Sequence, residues 1–178
     1  MKKMLLFGGL FLAGIYSAVA QKRLQVSVGI DVGYVATYDL AVFWGTGVGG
    51  SLKAAYPFTQ KLSGTFFTGY SSYIGFSLLG GYKQPSVNAV PVRAGLQYNF
   101  YKNFFAELQA GISILSGGGE IAALRTFNLH GSAFSFSPQI GYQFMIKNKK
   151  RLELSARYES ADYTTNFNTA GMRLAYIF

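Results

Sequence analysis

Cysteine is absent from the 178 residues, histidine occurs once, and Asp and Glu together number only seven. Without thiols the chain can form no disulfide and cannot be tethered as a lipoprotein through an N-terminal cysteine. One imidazole with no thiolate cannot complete the tetrahedral shell of a structural zinc site. No metal or other cofactor is expected. Charged residues make up 13% of the chain, about half the usual share. With half of the residues hydrophobic, the composition excludes a disordered chain. Long apolar runs are missing as well. After Ala20 no stretch reaches the roughly 20 consecutive apolar residues of a membrane-spanning helix.

The first twenty residues read as a separate unit. Lys2 and Lys3, an apolar stretch over 4–16 and the small-x-small sequence Ala18-Val19-Ala20 follow the three-part order of a cleaved export signal. Residues 1–20 are therefore expected to be removed, leaving a domain over 21–178 that opens at Gln21. Loss of Lys2 and Lys3 lowers the basic count from 16 to 14 against seven acids, a formal charge of +7. Lys61, Lys102, Lys147, Lys149, Lys150 and Arg151 stand in short polar breaks. No basic stripe or binding motif accompanies them, so no nucleic-acid partner is expected.

What is present is period-two alternation, repeated eight times. In the first segment Leu24, Val26, Val28, Ile30, Val32 and Tyr34 oppose Gln25, Ser27, Gly29, Asp31 and Gly33. Equivalent segments run over 48–56, 62–74, 90–100, 106–114, 134–144, 152–159 and 171–178. The third is less clean, because Phe66 and Phe67 put a ring on each face. Pro138 weakens the sixth as a central strand. Six of the segments reach the roughly 9–11 residues of a tilted strand crossing a bilayer, and 152–159 and 171–178 come within one residue of it. Short breaks at 57–61, 101–103 and 147–150 alternate with longer ones at 35–43, 75–87, 115–131 and 160–166. That rhythm predicts an all-β fold: an eight-stranded antiparallel up-and-down transmembrane β-barrel, with both termini on the periplasmic side.

The cost of charge in hydrocarbon orients the faces. A Lys or Arg on the lipid face at mid-membrane costs roughly 2–4 kcal/mol. Asp31, Lys53, Arg93, Glu107, Glu153, Arg157 and Arg173 all lie on the polar face of their segments, so they are expected to point inward. Three acids and four bases would then pair in an interior barely wide enough for side chains. A lipocalin-like soluble barrel would turn the apolar face inward and leave its exterior almost without charge. Aromatic residues near the segment ends, such as Tyr56, Tyr98, Phe144 and Tyr158, fit the two girdles of a membrane barrel.

The final residues, Gly171-Met172-Arg173-Leu174-Ala175-Tyr176-Ile177-Phe178, resemble the C-terminal signal read by the outer-membrane assembly machinery. Met172, Leu174, Tyr176 and Phe178 match its alternating apolar positions and terminal aromatic. Over about 21–178 the chain resembles the small eight-stranded outer-membrane proteins of the OmpA-barrel and OmpX-like kind. It is most similar to the "outer membrane protein beta-barrel domain" proteins common in Bacteroidetes. The stretches 49–57 (GGSLKAAYP) and 154–159 (LSARYE) carry that likeness. The resemblance implies fold and a location in the outer membrane of a Gram-negative cell, but little about activity.

Few motifs suggest chemistry. The glycines of 45–50 fit G-x-G-x-x-G but lead into a strand pattern rather than a helix, which removes the phosphate-binding context. His130-Gly131-Ser132 offers a general base beside a hydroxyl. Outer-membrane lipid A deacylases use a His-x-Ser pair with a Glu about a dozen residues later, where this chain has Tyr142, Gln143 and Phe144. Without that carboxylate the triad is incomplete. The sequence therefore points to a non-enzymatic barrel with a structural or interaction role. Glu120, Arg125 and His130 in the longest loop are the candidate contact surface. A lipid A-modifying hydrolase using His130 and Ser132 is the alternative, and a narrow channel or transport accessory is a third. Expected partners are outer-membrane lipid, lipopolysaccharide, the assembly machinery and an unidentified protein; the barrel is expected to be a monomer.

Overall fold

The computed structural model describes residues 24–37, 44–75, 86–121, 125–128, 131–146, 150–162 and 166–178. The expected export signal at 1–20, Gln21 and His130 lie outside these residues, as do Lys147 and Lys149. The strands are β1 (Gln25–Val35), β2 (Trp44–Pro57), β3 (Leu62–Gly75), β4 (Val87–Tyr101) and β5 (Phe104–Ser116), then β6 (Gly118–Ile121), β7 (Arg125–Asn128), β8 (Gly131–Met145), β9 (Arg151–Ala161) and β10 (Phe167–Ile177). Eight of them close into one antiparallel barrel, in the order β1-β10-β9-β8-β5-β4-β3-β2. β6 and β7 pair only with each other.

Closure is made by the first and last strands, paired from Ser27↔Ile177 to Val35↔Thr169. No ladder edge of the barrel is left open, which is the condition for a sheet to sit in hydrocarbon. Faces follow the alternation. In β1, Ser27 and Asp31 are buried while Val28, Ile30 and Val32 are exposed. In β5, Glu107, Gln109 and Ser113 are buried while Leu108, Ile112 and Ile114 are exposed. This is an inside-out protein, with polar groups within and aliphatic and aromatic groups outside.

Several strand limits differ from the sequence expectation. β4 begins at Val87, β5 runs to Ser116 and β8 begins at Gly131. The segment expected as the loop 115–131 therefore carries the ends of two barrel strands and the β6–β7 hairpin between them. The extra residues Val87, Ala89 and Leu115 continue the inward phase but are apolar, so a polar-inside pattern did not mark them. Pro138 does not break β8. The β8–β9 ladder lacks bridges at Ser137 and Pro138, then resumes in the same register at Gln139↔Arg157. Pro91 behaves alike, falling between Thr68↔Val92 and Ser71↔Ala89. Each proline lacks an N–H toward one neighbour only, and the opposite ladders run unbroken through Pro91↔Ser113 and Leu108↔Pro138.

Glycine gives room for large inward side chains. The Tyr73 ring lies over Gly47 and Gly33, which are register partners on β1 and β2, so the ring shields backbone that has no side chain of its own. A methyl group at Gly47 would collide with that ring. Gly47→Ala is expected to destabilise the barrel by about 1–3 kcal/mol through overpacking, read as a lower urea midpoint for the variant folded in lipid vesicles. An unchanged midpoint would mean the ring is free to move aside.

Candidate functional site

The barrel interior holds two charged clusters and an apolar plug, stacked along its axis. Toward the end with the short turns, Lys53 is the hub of the first cluster. Its ammonium donates to Glu153 Oε1 at 2.8 Å, to Glu107 Oε2 at 3.0 Å and to Gln97 Oε1 at 3.2 Å. These use all three donors of the group. Arg173 donates from Nη1 to Glu153 Oε1 at 2.8 Å, from Nε to Ser51 Oγ at 2.8 Å and from Nη2 to Ser27 Oγ at 3.1 Å. Glu107 also accepts from Gln109 Nε2 at 2.7 Å. Side chains from β1, β2, β4, β5, β9 and β10 thus meet in one network.

The second cluster lies nearer the long connections. Arg93 Nη1 is 2.8 Å from Glu159 Oε2, and Arg157 Nη2 is 2.9 Å from Asp31 Oδ1. Both are close ionic contacts without hydrogen-bond alignment. Glu159 additionally accepts from Ser113 Oγ at 2.9 Å. Phe67 joins the clusters. Its ring centroid lies 5.0 Å from the Arg93 guanidinium, 4.9 Å from that of Arg157 and 5.8 Å from that of Arg173. Phe105 serves Lys53 likewise at 4.9 Å. A desolvated cation over a ring face gains about 2 kcal/mol or more.

Beyond the second cluster, Val35, Tyr73, Val87, Ala89, Leu115, Ala161 and Phe167 form a buried apolar cluster, with Tyr73 and Phe167 edge to face at 5.5 Å. At the opposite end a cavity of about 10 Å³ remains among Gln25, Lys53, Gln97, Gln143, Glu153 and Ile177. That is room for about one water molecule. At that size the cavity is no chamber for a substrate. No group of three or more metal-ligating side chains occurs among the described residues either.

The structure brings together all seven residues of the expected interior network and adds an eighth, Glu159. Four acids thus face four bases, where the sequence reading counted three against four. Glu159 closes the expected segment 152–159 on the polar face with Glu153 and Arg157, so alternation already marked it although the charge count left it out. Phe67, Phe105 and Tyr73 were missed for another reason: an inward aromatic looks like a lipid-facing one in sequence. Of the C-terminal set, Met172, Leu174 and Phe178 are exposed on the outer face, and Tyr176 packs on Phe178 at 4.9 Å. Of the candidate loop contacts, the backbone places Glu120 opposite Thr126 and Arg125 opposite Ile121 in the β6–β7 hairpin. Ser132 is paired through its backbone with Ile114 at the start of β8.

No protein-family model matches the sequence, and no curated protein matches it. Solved structures do match. The attachment invasion locus protein Ail of Yersinia pestis superposes with a TM-score of 0.58 at 15% identity, over 88% of this chain and 98% of that one. The N-terminal β-barrel domain of Pseudomonas aeruginosa OprF gives 0.56 at 13%, over 86% and 97%. The outer membrane enzyme PagL gives 0.50 at 18%, over 85% and 98%. The fold is that of the small eight-stranded outer-membrane barrels. It is shared by proteins of different activities, so the likeness assigns no chemistry.

Glu153 is the most constrained member of the network, since it neutralises both Lys53 and Arg173 and is fully buried. Glu153→Ala is expected to cost roughly 3–5 kcal/mol, because two buried cations lose their shared counter-charge. Urea unfolding in vesicles measures it. A loss under 1 kcal/mol would show that water reaches the cluster.

Proposed function

We propose that this protein is a non-enzymatic barrel of the outer membrane, with a structural or interaction role and a sealed interior. The observation that carries the reading is the combination of an apolar exterior with a neutral, ion-paired and plugged interior. Exposed Ile30, Leu52, Phe66, Leu96, Ile112, Ile140 and Leu174 form the outer surface. In water such a surface would drive aggregation; in a bilayer it is the favourable one. The expected export signal and the C-terminal series Met172, Leu174, Tyr176 and Phe178 support delivery through the outer-membrane assembly machinery. With the termini on the periplasmic side, the long connections and the β6–β7 hairpin face outward. There they meet lipopolysaccharide and offer a contact surface to a protein partner. The barrel works as a monomer in this reading, since closure leaves no unpaired barrel edge.

Conduction is opposed by the same geometry. Eight strands leave an interior that side chains fill, whereas aqueous channels need about sixteen. Detergent-extracted protein is expected to run as a compact band that shifts on boiling, and to leave a planar bilayer silent. A heat-shifted barrel that conducts steadily would sink the sealed-interior reading. Recovery of the processed chain as a soluble periplasmic species would sink the membrane one.

A further inference from the structure

The interior contributes no net charge, because Asp31, Glu107, Glu153 and Glu159 balance Lys53, Arg93, Arg157 and Arg173. The basic excess of the chain must therefore sit at the rims, and it is unevenly divided. Of the three remaining acids, Glu120 and Asp162 belong to the long-connection end, and Asp39 falls between β1 and β2 in sequence, outside the described residues. Each of the three short connections at the other end carries lysine and no acid: Lys61 between β2 and β3, Lys102 between β4 and β5, Lys150 between β8 and β9. All three are exposed.

The depth of Lys102 and Lys150 is fixed by the aromatic girdle. The Lys102 ammonium lies 5.2 Å from the Tyr101 ring centroid, and that of Lys150 lies 5.7 Å from the Tyr176 ring centroid. Tyr and Trp rings of such girdles sit at headgroup level, so these cations lie among lipid phosphates rather than out in the periplasm. The turn that carries Lys61 borders a further feature through Phe58. An open groove of about 390 Å³ lies on the outer face across β2, β3 and β4, lined by Leu24, Ala54, Tyr56, Phe58, Phe66 and Leu96. Small residues at Ala54 and Ala94 make the furrow between larger neighbours, while the Phe58 ring covers Gly64. The furrow offers an acyl chain an apolar bed below a cation.

We propose that the short-turn rim is a binding collar for anionic phospholipid, with one lipid seated at Lys61 and its acyl chain in the adjoining groove. The proposal rests on the membrane-spanning reading above. A free anion would use the lysines but not the groove. A soluble polyanion would not select cations held at girdle depth. A surface lysine facing anionic lipid contributes about five-fold in partitioning.

Native mass spectrometry of the folded full-length protein, offered equal phosphatidylglycerol and phosphatidylcholine of the same chain length, tests this. The wild type is expected to retain phosphatidylglycerol on the order of a hundred-fold in preference, about five-fold from each of the three lysines. Lys61→Gln should cut the preference about five-fold, and the K61Q/K102Q/K150Q variant should abolish it. Millimolar inorganic phosphate should not displace the lipid. Equal retention of both lipids by the wild type, an undiminished preference in the triple variant, or displacement by phosphate would each overturn the collar. The heat-shifted band is checked on every sample. A barrel that shifts but shows no preference refutes the collar alone, whereas a chain that never gives the band refutes the membrane reading as well.

Discussion

Hydrocarbon offers no partner to a peptide N–H or C=O, and that single constraint dictates the rest of this molecule. A sheet can satisfy it only by closing on itself. Eight strands are enough to close, as the β1–β10 ladder does, but they enclose a lumen too narrow for bulk water. Whatever points inward must then satisfy itself. The inward groups here include carboxylates, ammonium and guanidinium groups, so neutrality becomes a condition for folding rather than a refinement. Lys53 and Arg173 add three hydrogen bonds each to their ion pairs, whereas Arg93 and Asp31 are held by charge alone.

Burying ion pairs is a weak source of net stability, because desolvation offsets most of the attraction. Their value here lies in register. Side chains alternate with a period of two, so a one-residue slip of β9 would turn Glu153, Arg157 and Glu159 out into lipid and bring Leu154 and Tyr158 inside. A two-residue slip keeps the faces but carries Glu153 away from Lys53 and Arg173. The apolar exterior cannot make the same discrimination, since one greasy residue in acyl tails is much like another. The charges thus specify the barrel that the apolar band merely accommodates.

This division explains what was legible in the chain. Strand number, the alternation of connections and the inward phase of Asp31, Lys53, Arg93, Glu107, Glu153, Arg157 and Arg173 follow from the cost of charge in lipid, a rule with a large magnitude. The apolar plug of Val35, Val87, Leu115 and Phe167 was not legible, because lipid and a dry lumen make the same demand of a side chain. Phe67 sharpens the point. Beside Phe66 it reads as an ambiguity of phase, yet it is the ring on which three guanidinium groups converge. Which cation meets which anion was equally hidden, since it depends on tilt and register across strands that are far apart in sequence.

The two ends of the barrel face different problems, and the sequence treats them differently. At the long-connection end the interior finishes in hydrocarbon-like packing, with Tyr73 folded over Gly47 and Gly33 and edged against Phe167. At the short-turn end it finishes in amides and charge, with Gln97, Gln143 and Arg151 leading out to the lysine-bearing turns, and Arg151 Nη1 held by Gln143 Oε1 at 3.0 Å. An apolar stopper holds water out on one side while the other side grades from paired to free cations. That gradient orients the molecule electrostatically: the interior is neutral, so the field it presents to a membrane surface comes almost entirely from one rim.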